Sequence, residues 1–391
     1  MSKMKKVVVT GISIMAANGN NINEFNDNAV RGLGGIKKAT LFPTDKIRTD
    51  YFGQVNKTYI YEVQSLEDKS RLECMYEDLI AQLLEDAKIT PEMISNLNEN
   101  AGFSFATSVG VNDYVSGHVK GTIKNSISKS NIYKLPKKLK IKGPVFVNTS
   151  ACAAGTTAIG TAYSLVNSGI CDMVITGGID PLTEFSSYGF HSLQNLSSTP
   201  CRPFDKDRDG ITLGEGGALF VLESYESAQK RNAKMYCEVL GYGLGNDAYH
   251  ATSPDPSGDG AYRVMTQALN QADIAPAEID YINTHGTGTE INDSMEIKAI
   301  ERLTSECHVN SIKSQVGHCL AAAGAVEFAA TVLSIENSYV YPNINICNPI
   351  NSLEEVKLSA ELVQKDIHYA LSNSFAFAGN AASIVVGGIS E

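Results

Sequence analysis

Short apolar runs alternate along the chain with stretches in which apolar residues recur at helical spacing. The runs predict buried strands, and the spaced positions predict helices that pack on them. Strands are predicted at residues 6–10, 102–107, 145–148, 173–176, 218–222, 236–243, 281–283 and 382–386. Helices are predicted at residues 72–87, 152–168, 261–272, 294–303 and 322–337. This alternation predicts an α/β protein.

The chain is long enough to bury a large core, and no low-complexity stretch or long linker divides its 391 residues. A polar segment, residues 223–234, separates two blocks with comparable sets of strands and helices. We therefore predict one compact unit built from two halves, residues 1–232 and residues 233–391, with its site at their junction.

Cys152 lies in a run of small residues, 148–158, between a predicted strand and a predicted helix. This position places the thiol in the first turn of the helix, where neighbouring side chains are too small to cover it. The helix dipole and unpaired backbone N–H groups favour a thiolate there. A packed core cysteine is the alternative interpretation.

Two histidines follow in glycine-rich turns of the second block. His285 lies at the end of a strand, in a Gly/Thr-rich turn whose hydroxyl and amide groups suit a polar ligand arm, and Asp293 and Glu296 come on one side of the next helix. His318 is predicted to begin a helix that is poor in bulky residues. Either histidine alone is also compatible with a structural role. Together with a cysteine, two imidazoles can hold a thiolate and stabilise charge on a carbonyl-containing substrate.

Lys313 and Glu327 flank His318 along the chain. A buried ion pair between them would fix the start of the helix that His318 is predicted to begin.

Composition excludes several other classes of protein. The net charge of −11 argues against nucleic acid as a general partner. The eight cysteines form no C-x-x-C pair, so neither a zinc site nor a dithiol redox site is predicted. The first strand is followed by no G-x-G-x-x-G sequence, which argues against a dinucleotide site.

The first residues do not read as a signal peptide, and no apolar run approaches membrane-spanning length. We therefore predict a cytoplasmic protein with reduced thiols and no membrane partner. One local basic cluster stands out against the acidic background. It is either a solvated loop or a docking surface for an acidic protein, and it consists of Lys134, Lys137, Lys138, Lys140 and Lys142.

With these residues in view, the chain resembles the elongating, type II β-ketoacyl-[acyl-carrier-protein] synthases of the thiolase superfamily. The resemblance runs almost the whole length of the chain. It includes the turn at Cys152 and residues 203–210, 214–216, 247–254, 285–289 and 313–327. It implies a thiolase-like α/β fold with a duplicated five-layer αβαβα arrangement. In this family one cysteine and two histidines converge at the junction of the halves.

The resemblance also implies roles for individual residues. Cys152 would accept an acyl chain from acyl carrier protein, and His285 and His318 would assist decarboxylation of malonyl-carrier protein and stabilise the enolate. Supporting roles are implied for further residues. Lys313 and Glu327 would organise the His318 side, and Thr287, Thr289 and Thr252 would bind phosphopantetheine. The N–H groups of Cys152 and Phe377 would form an oxyanion hole, Phe377 would act as a gate, and Phe190 would line the acyl pocket.

The reaction that the resemblance implies is the condensation of fatty acid or polyketide/polyene biosynthesis. It needs no metal and no cofactor beyond the phosphopantetheine that carries the substrates. The implied partners are acyl carrier protein and a second subunit, either an identical copy or a related ketosynthase-like chain.

Three alternatives were weighed against this function. A non-catalytic chain-length partner would lack the nucleophile, whereas Cys152 is present. A CoA-dependent thiolase needs a second cysteine near the C-terminus, and none follows Cys347. Initiating synthases use Cys-His-Asn, whereas His318 stands where the elongating type has its second histidine.

Two features depart from the family pattern. The C-terminal loop usually reads Phe-Gly-Phe-Gly-Gly-Thr-Asn, but residues 375–381 read Phe-Ala-Phe-Ala-Gly-Asn-Ala. Losing two glycines removes access to positive φ, which predicts a stiffer or differently shaped loop. Residues 128–142 are shorter and more basic than the family segment that contributes to the dimer and acyl pocket. Chain-length preference and the identity of the second subunit therefore stay open.

Overall fold

A computed structural model describes residues 4–59, 69–108, 134–305, 307–350 and 356–389. The strands are β1 (Val7–Met15), β2 (Ile36–Lys38), β3 (Tyr51–Gly53), β4 (Ala101–Ala106), β5 (Val145–Asn148), β6 (Met173–Asp180), β7 (Gly216–Ser224), β8 (Cys237–Asn246), β9 (Tyr281–Asn283), β10 (His308–Asn310), β11 (Tyr339–Val340), β12 (Lys357–Leu358), β13 (Val363–Gln364), β14 (Tyr369–Phe375) and β15 (Asn380–Gly387).

The helices are α1 (Ile22–Val30), α2 (Arg71–Asp86), α3 (Pro91–Asn96), α4 (Leu135–Lys138), α5 (Ala154–Asn167), α6 (Glu184–Ser192), α7 (Tyr225–Lys230), α8 (Asp259–Ala272), α9 (Glu290–Leu303), α10 (Lys313–Val316) and α11 (Ala323–Asn337). Polar caps define where several of them begin. In α2, for example, the Ser70 hydroxyl accepts from the Glu73 N–H while the Glu73 carboxylate accepts from the Ser70 N–H.

The main sheet has a duplicated topology. Its strand order is β12-β10-β9-β14-β15-β8-β1-β7-β6-β4-β5. In the set β1, β4, β5, β6, β7, strand β1 pairs antiparallel with β7, and β7 pairs antiparallel with β6. Strand β4 then pairs parallel with β6 on one side and with β5 on the other. The set β8, β9, β10, β14, β15 repeats this order and these directions. The two sets join where residues 7–9 of β1 pair with residues 237–239 of β8.

Helices cover both faces of each half, which produces five layers. Helices α5 and α11 pack on each other in the centre and share one apolar core with both halves of the sheet. Helix α2 covers the outer face of the first half, and α8 and α9 cover the outer face of the second. Alternation along the strands makes this possible, since Phe220 of β7 faces the central core while Leu219 and Val221 face the outer layer. The predicted αβαβα fold class is confirmed; the boundary at residues 232 and 233 stays a prediction.

The prediction that no apolar run approaches membrane-spanning length was wrong for the stretch that contains α11. Residues Leu320–Asn337 are long and apolar enough to cross a membrane by length and composition, and 89% of that window is buried inside the fold. Burial on all sides between two sheet halves accounts for the composition, because such a helix needs no polar face. The stretch consists of a 3-10 turn followed by α11, one of the two central helices.

Candidate active site

Cys152 is presented by a strained turn between β5 and α5. A 3-10 turn, Ala151–Ala153, precedes the helix, and Ala151 has a left-handed φ of 49°. This conformation costs an alanine about 1–2 kcal/mol, so the surrounding structure must enforce it. The small residues that follow allow the central helices to approach closely. A Cβ atom on Gly155 would come within 2.7 Å of the Ala325 nitrogen.

His285 follows β9 and is fixed by two carboxylates of the next helix. Glu296 accepts hydrogen bonds from the N–H groups of His285 and Gly286, both at 2.8 Å, and burial raises the pKa of its carboxyl to about 7. Asp293 accepts from the Gly288 N–H at 3.2 Å. Asp293 and Glu296 therefore lie on one side of α9, as expected, and hold the turn rigidly.

Lys313 connects the His285 turn to the central helix. Its ammonium contacts the Glu327 carboxylate, donates to the His285 carbonyl at 2.5 Å and lies 3.1 Å from His285 Nδ1. Both charged side chains are only 1% exposed. The ion pair expected from the sequence is present, and the remaining Lys313 contacts are with His285. The role of the pair in organising the His318 side stays a prediction.

His318 precedes the second central helix instead of beginning it. The helix α11 starts at Ala323, after a 3-10 turn at Leu320–Ala322. The prediction was wrong in this detail because Leu320 adopts a left-handed φ of 51°, which interrupts the helix. The Leu320 N–H donates to His318 Nδ1 at 3.1 Å and so fixes the ring.

The hydrogen bonds determine which nitrogen of each ring carries the proton. Nδ1 of His318 accepts from a backbone N–H, and Nδ1 of His285 faces the Lys313 ammonium. Burial, assisted by the Lys313 charge, places the pKa of both imidazoles well below 6.5. Both rings are therefore neutral near pH 7, with the proton on Nε2. Their centroids are 5.3 Å apart.

The resting thiol differs from the sequence expectation. Burial raises the pKa of Cys152 to about 12, although the Lys313 charge and the backbone N–H of Cys152 act in the opposite direction. The side chain is buried, and desolvation outweighs the favourable dipole at the helix start. Cys152 is therefore a thiol at rest and must lose its proton as it reacts.

One cavity brings the predicted residues together. It has a volume of about 450 Å³, and its walls include Cys152, His285, His318, Thr252, Thr287, Thr289, Phe190 and Phe377. Lys313 and Glu327 lie buried behind this wall. The rings of Phe190 and Phe377 stack, with centroids 5.7 Å apart. The cavity wall also includes Gln194, Asn195, Asn292 and Phe375, none of which was predicted as a site residue. Phe375 could have been found, because it begins the loop at residues 375–381, whereas Gln194 and Asn195 belong to no recognisable pattern.

The loop at Phe377 is shaped by an alanine in an unfavourable conformation. Ala378 has φ 60° and ψ 23°, whereas Ala376 is extended at φ −132°. The expectation that alanine would exclude positive φ was therefore wrong at Ala378. Two hydrogen bonds hold it there: its N–H donates to the Ala251 carbonyl at 2.8 Å, and its carbonyl accepts from Asn246 Nδ2 at 2.7 Å.

We expect Ala378→Gly to stabilise the protein by up to about 1 kcal/mol, because glycine removes the left-handed penalty. The matched substitution Ala376→Gly, at an extended position, should instead destabilise it by roughly 0.5–1 kcal/mol. Urea unfolding of both variants measures the difference. Equal effects of the two substitutions would contradict the proposed strain.

The basic cluster before β5 is mostly engaged with the outer layer of the first half. Lys138 pairs with Glu77 at 2.8 Å, Lys140 pairs with Glu92 at 2.5 Å, and Lys142 donates to the Ser95 carbonyl at 3.1 Å. Residues 128–133 of the atypical segment lie outside the described residues. These contacts attach the segment to α2 and α3, which favours the structural interpretation of the lysines over docking.

The part of the chain that the structure describes contains neither a metal site nor a disulfide. Among the described residues, no group of three His, Cys, Asp or Glu side chains could hold a metal ion. All eight cysteines lie in the described parts of the chain and are unpaired. A buried cysteine that shares one cavity with two neutral imidazoles, at the junction of a duplicated fold, defines a thiolase-like condensing enzyme.

Comparisons with known proteins give the same answer. Residues 4–228 match the family described as "Beta-ketoacyl synthase, N-terminal domain", and residues 236–347 match "Beta-ketoacyl synthase, C-terminal domain". A 3-oxoacyl-[acyl-carrier-protein] synthase 2 of Staphylococcus aureus (strain COL) is 34% identical over 98% of this chain and 99% of its own. The chain belongs to the β-ketoacyl synthase family, and the predicted resemblance is confirmed.

Solved structures with the same fold include several ketosynthase assemblies. A chain of the ishigamide ketosynthase/chain length factor is 30% identical with a TM-score of 0.88, covering 99% of this chain and 100% of that one. A chain of AntDE:AntF, a type II polyketide acyl-carrier protein in complex with its ketosynthase, is 29% identical with a TM-score of 0.89, covering 99% of this chain and 100% of that one. A chain of the Xenorhabdus doucetiae ketosynthase ApeO in complex with its chain length factor ApeC is 29% identical with a TM-score of 0.82, covering 98% of this chain and 98% of that one.

Proposed function

We propose that the chain is a 3-oxoacyl-[acyl-carrier-protein] synthase, an acyltransferase that joins a malonyl-derived unit to an acyl chain with loss of CO2. The observation that carries the proposal is the single cavity lined by Cys152, His285 and His318. Both imidazoles are neutral and both carry their proton on Nε2. Two such donors suit a thioester carbonyl on which negative charge develops.

The first step transfers the acyl chain to Cys152. The thiol loses its proton as its sulfur attacks the carbonyl carbon of an acyl-carrier-protein thioester. The carbon–sulfur bond to phosphopantetheine then breaks, and the departing thiolate takes up a proton. The N–H groups of Cys152 and Phe377 would hold the tetrahedral oxyanion, for which one donor is typically worth about 3 kcal/mol.

The second step forms the new carbon–carbon bond. Malonyl-carrier protein loses CO2, and the electron pair left behind forms an enolate whose oxygen accepts from His285 and His318. The enolate carbon attacks the acyl-Cys152 carbonyl, and the cysteine sulfur leaves and is reprotonated. Lys313 and Glu327 would keep His285 neutral and oriented, because the Lys313 ammonium faces its Nδ1.

The polar and apolar parts of the cavity suit the two parts of the substrate. Thr287 and Thr289, whose hydroxyl oxygens are 3.0 Å apart, and Thr252 would hydrogen-bond the amides of the phosphopantetheine arm. Phe190 and Phe377 would line the acyl end, with Phe377 as the gate. Phosphopantetheine on the carrier is the only prosthetic group that this reaction requires.

The proposed partners are acyl carrier protein and a second ketosynthase-like subunit. Strand β5 is the last strand at one end of the main sheet among the described residues, and its Val145 and Phe146 side chains are 40% and 45% exposed. An open apolar edge is suited to pairing with the corresponding strand of another subunit. The solved relatives contain both an acyl-carrier protein and chain length factors, so homodimer and heterodimer both stay open. The unpaired cysteines suit the reducing cytoplasm.

Two other functions have less support. A non-catalytic chain-length partner would not require the strained turn that presents Cys152 to the cavity. A CoA-dependent thiolase would require a second cysteine as base, and Cys152 is the one cysteine on the described wall of the cavity.

The proposal is tested by trapping the acyl group. We expect that incubation with acyl-carrier protein, followed by digestion and mass spectrometry, places one acyl adduct on Cys152 and identifies its chain length. Adding malonyl-carrier protein should then discharge the adduct with release of CO2. An adduct mapping to another cysteine, or discharge without CO2, would overturn the assignment.

A further inference from the structure

Asp180 is a completely buried carboxylate at the carboxyl end of β6, and the steps proposed above do not use it. It accepts from the Ala321 N–H at 2.7 Å, from the Thr107 hydroxyl at 2.7 Å, and from the Ser108 N–H and hydroxyl at 2.9 Å and 2.6 Å. One carboxylate therefore ties the end of β4 to the turn that follows His318.

Comparison of the two halves of the fold shows which position of the second half the Asp180 carboxyl group binds. In each half a 3-10 turn precedes the central helix, and its first residue is left-handed: Ala151 at φ 49° and Leu320 at φ 51°. The second residue of the turn is Cys152 in one half and Ala321 in the other. The Ala321 N–H, which corresponds to the N–H of Cys152, is the one that binds Asp180. In the second half, therefore, the N–H group at this position of the turn donates to a carboxyl oxygen of the chain itself.

The turn that Asp180 holds also orients His318. The Leu320 N–H donates to His318 Nδ1, and the next N–H, that of Ala321, donates to Asp180. A left-handed leucine costs about 1–2 kcal/mol, so the turn needs an external anchor to persist. We propose that Asp180 is a positioning residue for condensation, which fixes the Leu320–Ala322 turn and through it the Nε2–H of His318 in the cavity.

This inference rests on the proposed function and makes a separate prediction about its two steps. Acyl transfer uses the turn at Cys152, whereas decarboxylation uses His318. Loss of Asp180 should therefore slow decarboxylation far more than acylation. A general loss of folded protein would instead lower both rates by the same factor, so the ratio of the two rates separates positioning from stability.

The experiment measures acylation of Cys152 by acyl-carrier protein and CO2 release from malonyl-carrier protein in the full-length chain. In Asp180→Asn we expect the ratio of CO2 release to acylation to fall at least tenfold, an effect of about the size of one lost charged hydrogen bond. In Ser108→Ala, which removes one hydroxyl that fixes the carboxylate, we expect the ratio to fall by about two- to fivefold.

The control is Asp172→Asn. Asp172 stands just before β6, at the opposite end from Asp180, and makes an ion pair with Lys5 in which the side chains are 31% and 32% exposed. The substitution Asp172→Asn should leave the ratio of CO2 release to acylation unchanged. If Asp180→Asn does not fold, the Ser108→Ala ratio decides. An unchanged ratio in the folded variants overturns the role of Asp180, whereas a wild-type chain that releases no CO2 overturns the proposed function itself.

Discussion

Cys152→Ala lowers condensation by at least about 10⁴-fold, because Cys152 is the one thiol nucleophile on the described cavity wall. Decarboxylation of malonyl-carrier protein continues in this variant, since its proposed donors are His285 and His318. The substitution also removes the one thiol that lies among these groups. We expect the variant to fold, because alanine fits the strained turn as its neighbours Ala151 and Ala153 do. Product formation and CO2 release are followed in parallel.

The matched control is Cys171→Ala. Cys171 is a buried thiol whose pKa burial raises to about 11, but it is not part of the described cavity wall. Its removal should leave condensation close to that of the wild-type chain. Full condensation by Cys152→Ala would instead support the alternative in which this chain is a non-catalytic partner and a second subunit holds the nucleophile.

The sequence predicted elements well where burial was one-sided or complete and the residues were apolar. Strand 281–283 was predicted with the observed bounds and is fully buried. Strand 145–148 was also predicted with the observed bounds, but it was expected to be buried, whereas its residues are exposed or half-buried. Strand β14 was missed because its residues 372–374 are Ser-Asn-Ser, and all three are buried. Asn373 and Ser374 find their partners across the fold: the Ser383 hydroxyl donates to Asn373 at 2.8 Å, and the Ser374 and Thr156 hydroxyl oxygens lie 2.8 Å apart. A local pattern contains no information about such partners.

Helix α6 was missed for a related reason. It contains three serines and a glycine, which have low helix propensity, and its start depends on the Thr183 hydroxyl accepting from the Ser186 N–H at 3.1 Å. The helix carries Phe190 into the cavity. Its existence follows from capping and packing more than from apolar periodicity.

The candidate site was predictable as residue types but not as a set of contacts. Cys152, His285 and His318 each stand in a Gly- or Ala-rich turn that the sequence reveals. The hydrogen bond from Leu320 that sets the His318 proton, and the desolvation that keeps Cys152 protonated, both depend on three-dimensional surroundings. Asp180 was invisible because an acid at the end of an apolar strand gives no sign of the amide it binds 141 residues later.

Lys313→Met is expected to lower the free energy of unfolding by about 3–5 kcal/mol, because it leaves the Glu327 carboxyl buried without its cation. Adding Glu327→Gln should recover most of that stability, since the double variant buries no unpaired charge. Urea unfolding of the two single variants and the double variant measures the coupling. The control pair is Lys138→Met with Glu77→Gln at a partly exposed ion pair, where we expect about 1 kcal/mol or less.

Activity should not recover with stability in the double variant. The Lys313 ammonium faces Nδ1 of His285 and lowers its pKa, after burial as the main cause. Without that charge the pKa of His285 rises, although burial still holds it below its ordinary value, so the imidazole becomes protonated at a higher pH than in the wild-type chain. As the pH falls, decarboxylation by the double variant should therefore begin to decline at a higher pH than decarboxylation by the wild-type chain. Identical pH profiles for the stable double variant and the wild-type chain would show that Lys313 supports the fold alone.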